Sequence, residues 1–320
     1  MWMTWTRRST RSVLVTLVVF PLLLVGLPTQ SASAATRSCS SSTAVSSRPT
    51  LYYKDSGSCV KVLQSLLLKR GYNIGRSSPS GYFDAATRRA VQRYQSSKLD
   101  LTIDGIVGAK TWNRLVNGGG IKYSTRSGPN RTSRVVLSYD DCPKSLSAFK
   151  AAVVGAEDLG IALVLAPTGN CISAGRFSAS YARAHGHYVI NHSISHPDLA
   201  DLSYSQAKYQ LGSPGVVTSY GRPPYGSYDF WVRNAYAMKK MRMWLWDVDT
   251  NDWRGKTQSQ VVSYVVNYSH SNDTVLMHMQ WNGFTKSAMS AMKKGLAAKG
   301  LGVCRNRGTT TPTKPHILNC

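Results

Sequence analysis

Residues 134–143 read Arg-Val-Val-Leu-Ser-Tyr-Asp-Asp-Cys-Pro, an apolar run that ends in two adjacent carboxylates. Its branched and aromatic residues predict a short buried strand with the carboxylates at its carboxyl end. Four later segments repeat this pattern, with a polar group just after a predicted strand. In a βα-repeat barrel the carboxyl ends of the strands converge on one face, so we expect a single site. The groups are Asp140 and Asp141, His192 and His196, Arg222, Asp247 and Asp249, and His278.

Strands and helices alternate through the second half of the chain. This alternation favours a parallel α/β sheet, and the number of units suits a distorted (β/α)7-type barrel. The strands are expected at Arg134–Tyr139, Ile161–Ala166, His187–Asn191, Val216–Tyr220, Met241–Trp246, Thr274–Met277 and Leu301–Cys304. The helices are expected at Ser145–Leu159, Ser178–His185, Ser203–Leu211, Tyr228–Met238, Thr257–Tyr268 and Thr285–Lys299.

The segment Leu51–Asn117 has the pattern of three short helices, because its apolar residues recur at helical spacing. Gly81–Thr87 is echoed by Gly105–Thr111, and each is a glycine turn that leads into a helix. The echo indicates a duplicated small unit.

The N-terminus has the features of a secretory signal peptide. A basic segment precedes the apolar run Val13–Gly26, and the small residues Ala32, Ser33 and Ala34 form a cleavage pattern. The apolar run is too short for a membrane span, and no later segment is long enough. We expect an exported mature protein without a transmembrane segment.

The chain is strongly basic, with a formal net charge of +24. Removing the signal with its three arginines, Arg7, Arg8 and Arg11, leaves +21. Charge of this size attracts polyanions, and for an exported protein these would be the anionic polymers of a cell wall. The sequence shows no element for reading nucleic acid, so we expect no nucleic-acid partner. The alternative is a basic surface that only confers solubility.

Six cysteines in an exported chain indicate disulfides, although six allow fifteen pairings. Proximity in sequence favours Cys39–Cys59, Cys142–Cys171 and Cys304–Cys320, each closing a loop within one domain.

Two histidines and an aspartate pair have the character of an open catalytic metal site. His192 and His196 are four residues apart, which on a helical turn places both imidazoles on one side. One of Asp140 and Asp141 would complete the ligand set, and the other would accept a proton from water. The alternatives are structural histidines and an aspartate pair that caps the helix beginning near Ser145.

The five segments together resemble the polysaccharide deacetylases of carbohydrate esterase family 4. The resemblance covers about Arg134–Val303, with the motifs in the order of the family. The matching segments are Ser138–Pro143, Asn191–Pro197, Arg222–Gly226, Asp249–Trp253 and Leu276–His278.

This resemblance implies a role for each matching residue. The metal ligands would be Asp141, His192 and His196, holding Zn²⁺ by default, with Co²⁺ or another divalent ion as the alternative. Asp140 would be the catalytic base, held in place by Arg222, and His278 would be the catalytic acid. The Tyr225 backbone N–H would lie in the oxyanion hole. Asp249 would adjust the polar network around Arg222 and His278. The substrate would meet Trp253 as a stacking wall and Leu276 as an acetyl-methyl pocket, beside a loop stiffened by Pro223.

The chain departs from the family pattern at two positions. Cys142 replaces the usual glycine beside the metal aspartate, and we expect it in a disulfide with Cys171; the alternative is a thiolate ligand. Met279 stands where many relatives have aspartate, so the sequence does not show which group adjusts the properties of His278.

The segment Leu51–Leu115 looks like the peptidoglycan-binding domain found at the ends of wall hydrolases. The alternative is a helical spacer. The matching residues are Gly81, Phe83, Asp84, Thr87, Ala90, Val91, Gln95, Asp104, Gly105, Gly108, Thr111 and Trp112.

These resemblances predict a secreted, cell-wall-associated monomer that removes N-acetyl groups from peptidoglycan amino sugars. The alternatives are an acetylxylan esterase or chitin deacetylase of the same fold, or a catalytically inert wall-binding protein. The expected organisation is a signal peptide (1–34), a flexible segment (35–49), a peptidoglycan-binding domain (50–118), a flexible linker (119–133) and a deacetylase domain (134–320).

Overall fold

A computed structural model of the chain describes residues 38–312, 318 and 320. The predicted signal peptide lies outside the described residues. Within the described part, no helix is long and apolar enough to cross a membrane.

The N-terminal region consists of three helices, α1 (Ser58–Lys69), α2 (Ala85–Ser96) and α3 (Ala109–Asn117). Their apolar faces enclose one core that includes Leu63, Phe83, Val91 and Trp112, all fully buried. Asp84 caps α2, because its carboxylate accepts the Thr87 N–H at 2.8 Å and satisfies one free donor of the first turn. The predicted three-helix domain is confirmed.

The sequence echo in this region has a structural counterpart, a buried glutamine that holds each glycine turn. Gln64 Oε1 accepts the Gly81 N–H, and Gln95 Oε1 accepts the Gly105 N–H, both at 2.9 Å. Each amide nitrogen then donates to the threonine hydroxyl in the first turn of the next helix. The two halves therefore repeat one polar arrangement.

In the described residues that follow, seven strands and seven α-helices occur, mostly in alternation. The strands are β1 (Val136–Asp141), β2 (Val164–Pro167), β3 (Tyr188–Val189), β4 (Tyr220–Gly221), β5 (Arg242–Met243), β6 (Val248–Asp249) and β7 (Thr274–His278). The helices are α4 (Leu146–Asp158), α5 (Gly169–Ser173), α6 (Ala179–Ala184), α7 (Tyr204–Gln210), α8 (Phe230–Met238), α9 (Gln258–Tyr268) and α10 (Lys286–Ala298).

All strand pairs are parallel and follow chain order around a ring. One sheet has the order β3-β2-β1-β7-β6, and a second pairs β4 with β5. A parallel bridge between Asn191 and Gly221 joins the two sheets beside β3. In the described part of the chain no strand pairing connects β5 to β6, so the ring is open there. The domain is thus α/β with a mostly parallel sheet, as expected, and its strand order is that of a distorted barrel.

Five of the seven predicted strands are shorter than expected. The predicted strands Ile161–Ala166, His187–Asn191 and Val216–Tyr220 are reduced to β2, β3 and β4. The predicted strand Met241–Trp246 contributes only β5, because the carbonyls of Trp244 and Leu245 accept hydrogen bonds from the Arg222 guanidinium instead of a neighbouring strand. The predicted strand Leu301–Cys304 is reduced to one bridge between Val303 and Val135. The sequence analysis missed β6 and the short helix α5.

The three predicted disulfides are confirmed: Cys39–Cys59, Cys142–Cys171 and Cys304–Cys320. The second joins the residue after β1 to helix α5. The thiolate-ligand alternative for Cys142 is therefore wrong, because its sulfur is bonded to that of Cys171.

The segment between the two domains differs from the flexible linker that its glycines suggested. The Tyr123 hydroxyl donates to the Met243 carbonyl, and the Thr125 carbonyl accepts the Leu245 N–H at 2.6 Å. Asn130 is fully buried, and its amide donates to the Arg134 carbonyl at 2.8 Å. These contacts hold the segment against the barrel.

Candidate metal centre

Most of the predicted site residues meet at the carboxyl ends of the strands, as the parallel topology requires. Asp140 and Asp141 end β1, and His278 ends β7 directly beside Asp140 in the ladder. They line a cavity of about 380 Å³. Its lining residues are Asp140, Asp141, His192, His196, Tyr225, Trp246, Asp249, Trp253, Leu276 and His278. Asp247 is an exception, because its carboxylate accepts the Thr274 N–H at 2.9 Å and is not part of the cavity lining.

Asp141, His192 and His196 form a cluster whose ligand atoms all lie within 4.8 Å of one another. The Nε2 atoms of the two histidines are 3.4 and 3.3 Å from Asp141 Oδ1. Two imidazoles and one carboxylate are a donor set that zinc and related divalent ions accept in catalytic sites.

The hydrogen bonds around the cluster leave its ligand atoms free for a cation. His192 Nδ1 donates to the Arg222 carbonyl at 2.8 Å, which leaves the lone pair of Nε2 facing the cluster. Gln280 donates to Asp141 Oδ2 at 2.9 Å and fixes the carboxylate plane. Asp141 Oδ1 is buried and has no hydrogen-bond donor among the described residues. Because buried polar atoms are normally paired, this orphaned oxygen fits a bound cation.

The charges within the cluster shift its pKa values in opposite directions. Burial would raise the pKa of Asp141, but the close approach of His192, the hydrogen bond from Gln280 and the charge of His196 outweigh it and hold that pKa well below its usual range. Burial would lower the pKa of His192, but the neighbouring Asp140 and Asp141 carboxylates raise it above the ordinary value. Burial and the charge of His192 lower the pKa of His196. The cluster therefore concentrates negative charge where a cation would sit.

The two histidines lie on a loop, and the expected helical turn is wrong. Ser193 and His196 have left-handed φ values of 65° and 62°. The Ser193 hydroxyl accepts the His196 N–H at 3.0 Å, and Gln210 Oε1 accepts the N–H groups of Ile194 and Ser195. These side chains supply the hydrogen bonds that a helix would have made, and they aim both imidazoles at Asp141.

Asp140 is held by a fully buried arginine. Arg222 Nη1 donates to Asp140 Oδ1 at 2.6 Å, while its other nitrogens donate to the carbonyls of Trp244 and Leu245 at 2.9 Å. Asp140 Oδ2 faces the cluster, 3.7 Å from His192 Nε2. A carboxylate fixed in this way beside a metal site can accept a proton from a water molecule there.

His278 is paired with Asp252, a residue that the sequence analysis missed. The His278 ring atom Nδ1 is 2.7 Å from Asp252 Oδ1, and the His278 backbone N–H donates to Asp252 Oδ2 at 2.9 Å. Burial would lower the pKa of His278, but the hydrogen bond to Asp252 and the charges of Asp140, Asp252 and Asp141 raise it above the ordinary value.

Asp249 lines the cavity but accepts a hydrogen bond from the Asn251 N–H, a local turn contact. Among the described residues, the carboxylate that hydrogen-bonds with His278 is that of Asp252, and the role of Asp249 stays a prediction. The sequence could have indicated Asp252, since it directly precedes Trp253 in the matching segment Asp249–Trp253.

The Arg222–Gly226 loop forms one wall. Tyr225 has a left-handed φ of 59°, and its ring, 69% exposed, packs edge-on against His196 at 4.7 Å between centroids. Such backbone conformations cost a non-glycine residue about 1–3 kcal/mol and cluster at functional sites. Pro223 is buried and is not among the lining residues, so its expected substrate contact has no support.

The remaining walls are apolar and aromatic. Leu276 lies on β7 with 5% of its surface exposed, and Trp253 is 49% exposed at the rim. Trp246, which the sequence analysis did not single out, also lines the cavity, with the Arg222 guanidinium 5.7 Å from its ring centre. The buried Leu276 surface suits a small acyl group, and the exposed ring of Trp253 at the rim suits a sugar ring.

Two models of known protein families match this chain, one in each domain. Residues 56–115 match the model of a peptidoglycan binding domain, and residues 127–244 match that of polysaccharide deacetylase.

Several curated proteins are similar to this chain. A bifunctional xylanase/xylan deacetylase of Cellvibrio japonicus is 27% identical over 54% of this chain and 27% of that protein. Peptidoglycan-N-acetylmuramic acid deacetylase PdaC of Bacillus subtilis is 32% identical over 34% of this chain and 24% of its own length. A peptidoglycan-N-acetylglucosamine deacetylase of Bacillus cereus is 25% identical over 52% of this chain and 64% of its own length. The chain therefore spans only about a quarter of the length of the first two.

Among solved structures, a family 4 carbohydrate esterase from Streptomyces lividans in complex with acetate is 24% identical. The match covers 57% of this chain and 98% of that one, with a TM-score of 0.47.

Proposed function

We propose that this chain, a polysaccharide deacetylase with an N-terminal peptidoglycan-binding domain, hydrolyses N-acetyl groups of peptidoglycan amino sugars at a divalent metal. The observation that carries the proposal is the cluster of Asp141, His192 and His196 with the Arg222-held carboxylate of Asp140 beside it. These candidate ligands and the candidate base line one cavity, which supports a metal-dependent hydrolase.

A divalent cation held by Asp141, His192 and His196 would supply Lewis acidity toward the acetyl carbonyl and toward an attacking water. Zn²⁺ is the default for this ligand set, and Co²⁺ or another divalent ion is the alternative. Asp140 removes the proton of the water, and the hydrogen bond from Arg222 Nη1 to its Oδ1 keeps the carboxylate oriented. The Tyr225 backbone N–H serves as a donor toward the oxyanion that develops on the carbonyl oxygen.

His278 gives its proton to the departing amine, which leaves as the free amino sugar while acetate is released. The pairing of His278 with Asp140 in the β-ladder, and the position of both side chains in the cavity lining, support these roles. Leu276 contacts the acetyl methyl group, and Trp253 stacks on the sugar.

Replacing Asp252 with asparagine should move the alkaline limb of the kcat/KM profile to lower pH. The hydrogen bond to Asp252 raises the pKa of His278, so His278 keeps its proton to higher pH, and activity is lost as pH rises through that pKa. Removing the carboxylate lowers the pKa, and the loss then begins at lower pH. The measurement is kcat/KM against pH on a soluble N-acetylglucosamine oligomer.

Asp249→Asn is the matched control, since Asp249 shares the cavity but its carboxylate accepts the Asn251 N–H and makes no hydrogen bond to His278 among the described residues. Its alkaline limb should coincide with that of the wild type. If Asp249→Asn moved the limb and Asp252→Asn did not, the assignment to Asp252 would be wrong.

Wall polymer is the favoured target because the peptidoglycan-binding domain and the excess of basic residues both favour it. Three disulfides fit an oxidising, extracellular location, consistent with a secreted, wall-associated monomer. The second candidate is deacetylation of xylan, favoured by the similarity to the xylanase/xylan deacetylase.

The deciding experiment treats purified peptidoglycan, acetylxylan and chitin oligomers with the protein, with and without a chelator. We expect acetate from peptidoglycan, its loss with the chelator, and its return when Zn²⁺ or Co²⁺ is added. Mass spectrometry of the fragments then shows which amino sugar has lost its acetyl group. Release from acetylxylan alone would favour the second candidate, and no release under any condition would favour an inert wall-binding protein.

A further inference from the structure

The two domains meet at a buried arginine. Arg242, at the start of β5, is 1% exposed and reaches the carboxyl end of α2. Its guanidinium donates to the carbonyls of Gln95, Ser96, Lys98 and Leu101 at 2.7 to 3.3 Å. The last carbonyls of a helix lack partners within the helix, so this cation caps α2 from the other domain.

A cavity of about 620 Å³ lies at this junction, in the size range of ligand sites. Residues of both domains line it. Four of them are arginines (Arg70, Arg93, Arg233 and Arg242), five are aromatic (Tyr72, Tyr123, Tyr228, Phe230 and Tyr236), and Asp229 is the acidic one. The Asp229 carboxylate is engaged in capping α8, where it accepts the Val232 N–H at 2.8 Å.

Two of these arginines also have a buried nitrogen without a hydrogen-bond partner among the described residues. They are Arg242 Nη1 and Arg93 Nε. Arg242 is 1% exposed. Burial first, and the cations Arg89 and Arg233 after it, lower the pKa of Arg93 to about 10. The cavity therefore carries an excess of positive charge, with four guanidinium groups and one carboxylate that is already engaged, and this favours a ligand that accepts hydrogen bonds and carries negative charge.

We propose that the junction cavity is a second binding site, one that takes a carboxylate of an acidic peptide carried by the same wall polymer. This inference rests on the proposed function, since it assumes that both domains act on peptidoglycan. Guanidinium groups match carboxylates in two-point hydrogen bonds, and the aromatic rings offer faces to the aliphatic parts of a peptide. The free anions of peptidoglycan are the carboxylates of its stem peptides, whereas its amino sugars are neutral.

The junction cavity would bind the peptide while the metal cavity acts on the sugar. Wall polymer that carries peptides would then be bound more tightly than peptide-free glycan.

The experiment measures Kd by calorimetry for the mature full-length protein and a soluble muropeptide with free stem-peptide carboxylates. Arg233→Gln and Arg93→Gln are the test variants. Arg233 is exposed and contacts only the Tyr228 ring among the contacts described, so its replacement leaves the fold intact. Arg307→Gln removes the same charge from an exposed position away from the cavity and is the control.

We expect each test variant to bind about tenfold more weakly, the size of one lost charge-assisted hydrogen bond, and Arg307→Gln to bind as the wild type does. The same muropeptide with amidated carboxylates should bind the wild type as weakly. Unchanged Kd in both test variants, or equal binding of the amidated probe, would overturn the proposal. Tighter, arginine-dependent binding of a polyglycerol phosphate would overturn it in favour of a phosphodiester polymer.

The proposed function is tested separately, by deacetylation of peptide-free N-acetylglucosamine oligomers. Arg233→Gln should keep wild-type activity on them. If the protein released no acetate but muropeptide binding still followed the arginines, the binding site would stand and the deacetylase proposal would fall.

Discussion

Asp140→Asn is expected to reduce acetate release by roughly 10²–10⁴-fold, the range that a positioned base contributes. Asparagine has the size of aspartate, and its amide oxygen can still accept the hydrogen bond from Arg222 Nη1, so the fold and the cavity should persist. What is lost is the group that accepts the proton. Bound metal should be retained, because the ligand cluster consists of Asp141, His192 and His196.

The measurement pairs initial rates of acetate release with metal content by elemental mass spectrometry. Asp158→Asn is the matched control, because it makes the same change in an exposed ion pair with Lys286. It should have wild-type rates. A fully active Asp140→Asn would remove Asp140 as the base, and loss of metal in this variant would place Asp140 among the ligands.

His192→Ala is expected to lose both metal and activity. His192 is 2% exposed and supplies one of three ligand atoms, while its other nitrogen is tied to the Arg222 carbonyl. Replacing residues that only support metal ligands already costs about 10–100-fold in affinity, so loss of a ligand should cost more than about 100-fold. Zinc titration of the apoprotein by calorimetry gives the affinity directly.

His270→Ala is the control for this change, since the His270 side chain is 84% exposed and lies outside the cluster. It should bind one zinc ion per chain, as the wild type does. If His192→Ala bound zinc with wild-type affinity, the ligand set would be wrong even if the variant were inactive.

The convergence of the site could be predicted from the sequence because it depends on topology. Parallel strands bring whatever follows their carboxyl ends to one face, so Asp140, His192 and His278 meet even where strand bounds are imprecise. The disulfides were also predictable, because each joins cysteines that are near in sequence within one domain.

What the sequence did not reveal depends on individual hydrogen bonds. The spacing of His192 and His196 suggested a helix, but side-chain acceptors on Ser193 and Gln210 stabilise a loop instead. In this loop both imidazoles still face the same point. Asp249 and Asp252 are both acidic and near a strand end, and only the contact with His278 separates their roles.

The junction between the domains was likewise hidden. Glycines and polar residues after Asn117 suggested flexibility, and nothing local shows that Arg242 caps a helix more than 140 residues earlier in the chain. Long-range contacts of this kind are set by the docking of complete domains, which a local pattern does not encode.

The central claim is that Asp141, His192 and His196 together bind a divalent cation. Anomalous X-ray diffraction at the zinc edge, from crystals of zinc-loaded protein, tests it most directly. The account predicts one peak per chain, about 2.0–2.2 Å from a carboxylate oxygen of Asp141 and from Nε2 of each histidine. A zinc peak bound by other residues, or none at this cluster in zinc-loaded crystals, would contradict it.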